Sequence, residues 1–151
     1  LAGDGPFAME RSGGLPAGDL IKLCYSGEYS IIEMLRKVNG RGGIVAYLKT
    51  TDAREIENMI NSGNEYTLEI TKAMTYQVSK EIGALASVFK GKVDAILLTG
   101  GLAHWNRFVN MISDRVSFIA PIFSYPGENE MESLALGVYR CLIGQEKFNE
   151  Y

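Results

Sequence analysis

The stretch VDAILLTGGLAHWNRF, residues 93–108, decides the fold because two glycines join a strand pattern to a helix pattern there. The apolar run that ends at Thr99 is typical of a parallel strand buried on both faces of a sheet. Gly100 and Gly101 follow it, and a helix is predicted from about residue 104 to 114. Open α/β sheets bind ligands at the carboxyl ends of their strands. This turn is therefore the first candidate for a binding site.

The segments on either side predict an α/β fold. From residue 64 to about 90 the apolar residues recur at spacings of three and four, which predicts one long amphipathic helix ended by Lys90 and Gly91. Residues 39–48 are ambiguous between a strand and an irregular loop. Helices are also predicted over 19–25, over 28–38, over 50–63 with a Thr or Asp cap, and after Asn129, with Glu132 completing a capping box.

Length and composition exclude several classes of protein. A chain of 151 residues is long enough for one domain with its own core. The net charge of -3 argues against a nucleic-acid partner, and no apolar stretch approaches the ~20 residues of a membrane helix. Cys24 and Cys141 lie far apart and form no C-x-x-C pair, so a reducing cytoplasm is the expected location.

Several polar residues could form a site, but each also has an ordinary structural explanation. The two glycines allow a ligand to approach the backbone, or they serve packing alone. Arg11 precedes a flexible Ser-Gly-Gly and could bind an anion, or it is an exposed arginine in a surface turn. Asp52 and Arg54 could grip a ribose and stack on a base, or they are a helix cap and a solvated charge. His104 and Trp105 stay open, the tryptophan between a lid and a core residue.

Four blocks of sequence, taken in order, carry a family resemblance. GPFAMERSGGLPAGDLIKLCYSG, GRGGIVAYLKTTDAREIE, VDAILLTGGLAHWNRFV and APIFSYPGENEMESLALGVYRCL resemble the C-terminal half of the butyrate kinases, a branch of the acetate kinase family. The resemblance runs from about Gly5 to Gly144. That family belongs to the superfamily of acetate and sugar kinases, heat-shock ATPases and actin.

The resemblance implies a fold and an activity. The fold is a ribonuclease-H-like α/β domain of the actin-like ATPase superfamily, with a mixed sheet and flanking helices, and residues 1–151 form one such domain. The N-terminal half, with the acyl pocket, is absent from this sequence. The implied reaction is butanoate plus ATP to butanoyl phosphate plus ADP, with Mg²⁺, in a homo-oligomer joined through this domain. A related short-chain or branched-chain acid is the alternative substrate, and a pure assembly module is the alternative function.

The resemblance also assigns roles to individual residues. Arg11 matches the arginine that steadies the phosphoryl group, and Glu130 matches a glutamate implicated in handling Mg²⁺. Ala53 and the His104-Trp105 pair differ from the residues that the family carries at these positions. These differences affect the pocket expected for the base of the nucleotide. The residues that match the adenosine pocket are Asp52, Arg54, Thr99, Gly100, Gly101, Leu102 and Ala103.

Overall fold

The computed structural model describes residues 5–127 and 130–148, with Glu130 described by its backbone alone. Helices dominate this part of the chain, and two short strands lie between the last three of them. The elements are α1 (Ala17–Cys24), α2 (Ile31–Val38), α3 (Ile44–Leu48), α4 (Ala53–Asn61), α5 (Glu65–Val88), β1 (Ile96–Gly100), a 3₁₀ helix (Gly101–His104), α6 (Asn106–Val116), β2 (Ile122–Pro126) and α7 (Glu130–Leu142).

The two strands pair in parallel, so the predicted α/β architecture is confirmed. Their register runs from Ile96 opposite Ile122 to Gly100 opposite Pro126, with α6 as the crossover between them. The prediction that β1 is buried on both faces is wrong. Ile96 is buried and Leu98 packs against the core, whereas Leu97 is 59% exposed. Side chains alternate across a strand, and in the described residues just one face of this pair meets the core.

The core lies between α4, α5, α6 and the inner face of β1. Ile56 comes from α4, Met74 from α5 and Ile112 from α6, and each is at most 1% exposed. Because interiors are packed at crystal-like density, these side chains fix the relative positions of the three helices. The helices in turn set the place of the strand ends, where the candidate turn lies.

Helix α5 confirms the predicted long helix and most of its predicted apolar face, since Met74 is buried and Ile70, Val78 and Ile82 pack against the core. Asn64 caps it by accepting a hydrogen bond from the Thr67 N–H at 3.0 Å. Met74 is buried as the apolar spacing predicts, yet Leu85 and Phe89 of the same predicted face are 57% and 60% exposed. Small hydroxyl side chains are buried as well, and two of them, Thr71 and Ser79, donate to carbonyls four residues earlier. The buried hydroxyl residues are Thr67, Thr71, Thr75 and Ser79.

The other predicted helices are present with shifted ends. Residues 28–38 form a helix from Ile31 because Ser30 caps it in a capping box with Glu33. The segment left open between strand and loop contains a helix, α3. The predicted Asp cap of α4 is confirmed at Asp52, whereas the predicted Asn129 cap lies outside the described residues. Within the described ranges, no helix has the length and apolar character needed to cross a membrane.

Candidate functional site

A cavity of about 670 Å³ lies where the start of α4 faces the turn after β1. Both walls carry polar groups. The first turns of α4 supply Asp52, Arg54 and Asn58, and the opposite wall begins at Gly101. The described residues that line it are Asp52, Ala53, Arg54, Glu57, Asn58, Gly101, His104, Trp105, Asn106 and Arg107. Two sequence segments that were separate candidates therefore line one cavity.

Asp52 and Arg54 form the charged edge of this cavity. Asp52 caps α4 by accepting from the backbone N–H of Arg54 at 2.9 Å. Its carboxylate also accepts from the Arg54 side chain, with Nη2 to Oδ2 at 2.6 Å and Nε to Oδ1 at 3.0 Å. The side-chain bond from Arg54, followed by the backbone bond, lowers the pKa of Asp52 to about 2. Near neutral pH the edge thus presents an ionised acceptor beside a guanidinium that is 90% exposed.

The turn after β1 depends on one of its two glycines. Gly100 has φ 85° and ψ -175°, a conformation that residues with a Cβ rarely adopt. A Cβ placed there would find no heavy atom within 4 Å, so the backbone conformation rather than crowding favours glycine. Gly101 has no positive φ and instead begins the 3₁₀ helix on the cavity wall. The two glycines therefore differ in position: Gly100 makes the turn, and Gly101 lies on the cavity wall.

Glu57 joins the two walls, a role that the sequence did not predict. Its Oε2 accepts from Trp105 Nε1 at 2.7 Å and from Arg107 Nε at 2.7 Å, and its Oε1 accepts from Arg107 Nη2 at 3.0 Å. Arg107 Nη2 also donates to Asn61 Oδ1 at 2.9 Å. Hydrogen bonds from Arg107 and, less strongly, from Trp105 lower the pKa of Glu57 against the opposing effect of burial. One sequence signal could have indicated this contact, because Arg54, Glu57 and Asn61 recur at helical spacing. The same spacing of polar residues is equally typical of a solvated helix face.

Trp105 is a core residue with one polar edge on the cavity. It is 7% exposed, and its ring is stacked on Phe108 with centroids 5.9 Å apart and planes 13° apart. Its N–H reaches Glu57, as expected for a buried tryptophan. The choice between lid and core is thus settled for the core, and the buried ring fixes the start of α6.

The remaining predicted residues lie in several places. Arg11 is exposed and pairs through its backbone with Asn39; it does not line this cavity. Thr99 is exposed at the end of β1, and Ala103 is 3% exposed in the core. Leu102 is half-buried and packs against the core, and the side chain of Glu130 lies outside the described residues. The part of the chain that is described contains no group of three or more His, Cys, Asp or Glu side chains able to hold a metal ion.

Comparison with known proteins gives a consistent family match. The acetokinase family matches residues 5–118. The chain is 49% identical over 151 residues to butyrate kinase 1 of Clostridium acetobutylicum, covering 100% of this chain and 42% of that protein. It is 49% identical over 142 residues to a probable butyrate kinase 2 of Caldanaerobacter subterraneus, covering 94% of this chain and 40% of the relative.

The fold agrees with that match. The crystal structure of Porphyromonas gingivalis acetate kinase superimposes with a TM-score of 0.77 at 20% sequence identity, over 90% of this chain and 41% of that one. The predicted acetate kinase fold is thereby confirmed. The chain spans about 42% of the length of the curated relatives that it matches.

Proposed function

The chain belongs to the acetokinase family, and we propose that it forms the nucleotide-binding part of an ATP-dependent carboxylate kinase. The relatives at 49–50% identity are named butyrate kinases, so butanoate is the proposed acceptor. We assign the acyl pocket to the part of these butyrate kinases that the chain does not match. A different short-chain or branched-chain acid is the alternative substrate.

The single observation that carries the proposal is the shared cavity of Asp52, Arg54 and Gly101. Its volume of about 670 Å³ falls within the range typical of small-molecule sites. We assign the adenosine of ATP to it. The ionised Asp52 would accept hydrogen bonds from the ribose hydroxyls, and the exposed Arg54 guanidinium offers a planar cation for the base to stack on. Gly101, without a side chain, would let the ligand contact the backbone.

The proposed reaction is a direct phosphoryl transfer. A carboxylate oxygen of the acid forms a bond to the γ-phosphorus of ATP while the bond from that phosphorus to the bridging oxygen of ADP breaks. Negative charge spreads over the three equatorial oxygens in the transition state. We propose that Arg11, which is exposed and therefore free to meet a ligand, stabilises that charge.

Magnesium is the cation expected to bind together with ATP. When bound, it would neutralise charge on the phosphates, and Glu130 is the proposed protein contact. Magnesium in kinase sites usually keeps several waters and uses one or two carboxylates together with the phosphates. A built cage of carboxylates is thus not required for this proposal.

A chimera tests the proposed kinase function. This chain replaces the matching segment of Clostridium acetobutylicum butyrate kinase 1, to which it is 49% identical. We expect butanoyl hydroxamate from butanoate, ATP, Mg²⁺ and hydroxylamine. We also expect Arg11→Ala to lower kcat by roughly 100-fold or more, the usual cost of one transition-state contact. The chain by itself is expected to give no product above the blank.

Two results would contradict the proposal. One is a folded chimera that binds ADP but forms no hydroxamate with any short-chain acid. The other is an Arg11→Ala chimera as active as its parent. Lys92→Ala, which removes an exposed cation outside the proposed nucleotide cavity, is the control.

A second candidate function, assembly through this domain, is favoured by exposed apolar residues at the end of α5. Leu85, Val88 and Phe89 are 57%, 70% and 60% exposed. We propose that this end of the long helix pairs with a second copy. Light scattering after size exclusion is expected to give twice the monomer mass of 16.6 kDa. A monomer at every concentration, or a dimer unaffected by Val88→Glu, would refute the pairing.

A further inference from the structure

A second cavity, of about 530 Å³, lies on the other side of α3 from the core and has a strongly basic lining. Among the described residues, four cations surround it, and it shares no lining residue with the cavity at Asp52 and Arg54. The sequence between residues 34 and 51 contains these four cations and no carboxylate. In a chain of net charge -3, about a quarter of the 15 basic residues thus gather at one place. The lining is Tyr29, Glu33, Arg36, Lys37, Arg41, Val45, Ala46 and Lys49.

The positive charge of this cavity is neutralised only in part among the described residues. In the described ranges, none of the four cations takes part in an ion pair. The one carboxylate of the lining, Glu33, turns its Oε2 to the N–H and hydroxyl of Ser30, at 2.8 and 2.7 Å, as part of the α2 cap. Hydrogen bonds from Ser30 and, less strongly, the charges of Arg36 and Lys37 lower the pKa of this carboxylate. Among the described residues, the lining therefore holds four cations against one carboxylate. Such an excess of one sign within a concave surface attracts ligands of the opposite sign.

Backbone and side-chain contacts hold the cations in place. Lys37 Nζ lies 4.3 Å from the centre of the Tyr29 ring, and Arg41 N–H donates to the Arg36 carbonyl at 2.8 Å. Lys49 has φ 63°, a left-handed conformation in which glycine or asparagine is usual. Its Nζ donates to the Ala46 carbonyl at 2.8 Å. Lys49 thus caps the C-terminal end of α3 and keeps its ammonium group on the lining of the cavity.

We propose that this cavity binds a compact polyanion, namely the di- or triphosphate group of a small molecule, at a site separate from the nucleotide cavity. Arg36 and Arg41 provide planar guanidinium groups that match phosphate oxygens in pairs. Lys37 and Lys49 add point charges on the same cavity, and the Tyr29 hydroxyl adds a possible hydrogen-bond donor.

Calorimetry with tripolyphosphate tests this proposal on the chain as it is. We expect saturable binding that is weakened roughly 10- to 100-fold in the double variant Arg36→Gln/Arg41→Gln, because charge-assisted hydrogen bonds are lost. The control Lys92→Gln/Lys147→Gln removes the same charge from two exposed lysines outside this cavity. Arg36→Lys/Arg41→Lys keeps the charge and is expected to retain part of the affinity.

Each outcome supports or overturns the proposal. Binding lost in the cavity variant but kept in the lysine control and in Arg54→Gln supports a separate site. Equal weakening in both double variants overturns it, because binding would then follow net charge alone. Loss in Arg54→Gln also overturns it, because the polyanion would then occupy the nucleotide cavity. Absence of binding in the wild-type chain overturns it as well.

Discussion

Replacing Glu57 by alanine is expected to loosen the wall that joins α4 to α6. The change removes three hydrogen bonds from Trp105 and Arg107 and leaves the N–H of a tryptophan that is 7% exposed without its partner. The Glu57 and Arg107 side chains are about 30% exposed, so solvent takes over part of the lost interaction. We expect the free energy of unfolding to fall by about 1–3 kcal/mol.

Thermal unfolding followed by far-ultraviolet circular dichroism measures this change. For a chain of this length, about 1 kcal/mol corresponds to roughly 2–4 °C in Tm. The emission of Trp105, the one tryptophan in the sequence, is expected to change in the folded protein because its indole N–H loses an acceptor. Glu28→Ala is the control: Glu28 is exposed, and such surface changes usually stay within about 0.5 kcal/mol. Equal midpoints and equal emission in the two variants would refute this account of Glu57.

Three further changes test other parts of the structure. The pKa of Glu57 is lower in the folded chain than its unfolded value near 4.5, so ionised Glu57 stabilises the fold at pH values above 4.5. Below that pH the Tm of the wild type is therefore expected to fall more steeply than the Tm of Glu57→Gln. Parallel curves of Tm against pH would contradict this. Gly100→Ala is expected to lower the free energy of unfolding in urea by about 1–3 kcal/mol, because Gly100 has a φ of 85°. Gly83→Ala, on the exposed side of α5, is expected to raise it by up to about 1 kcal/mol. Equal effects of the two substitutions would contradict the role given to the Gly100 conformation. Asn64→Ala is expected to cost about 1 kcal/mol by removing the cap of α5, and an unchanged urea midpoint would be evidence against that cap.

Local patterns were enough to predict the elements that position the site. The spacing of apolar residues predicted α5, and the apolar run followed by glycines predicted β1 and its turn. Both signals lie within one segment, where the periods of helix and strand can be read directly. The Asp52 cap was predictable for the same reason, since capping depends on neighbours in sequence.

Contacts between distant segments were not predictable. Glu57 and Trp105 are 48 residues apart, and nothing in either segment indicates the other. The burial of Thr71 and its neighbours in α5 was not predicted because they are polar in sequence, yet the Thr71 hydroxyl finds its acceptor within the helix. The exposure of Leu97 depends on how many layers cover the sheet, which one strand does not encode.

The measurement that tests the central claim most directly is a titration of Mg²⁺-ADP into the chain, followed by Trp105 emission and by calorimetry. Trp105 lies on the wall of the cavity to which we assign adenosine. We expect a saturable change in the wild type and at least roughly tenfold weaker binding in Arg54→Ala and in Gly101→Val. The first substitution removes the cation on which the base stacks, and the second places a side chain where the ligand would contact the backbone. Lys92→Ala, an exposed lysine outside this cavity, is expected to bind like the wild type. Binding of equal strength in all four proteins, or no heat and no emission change in the wild type, would contradict a nucleotide site at this cavity.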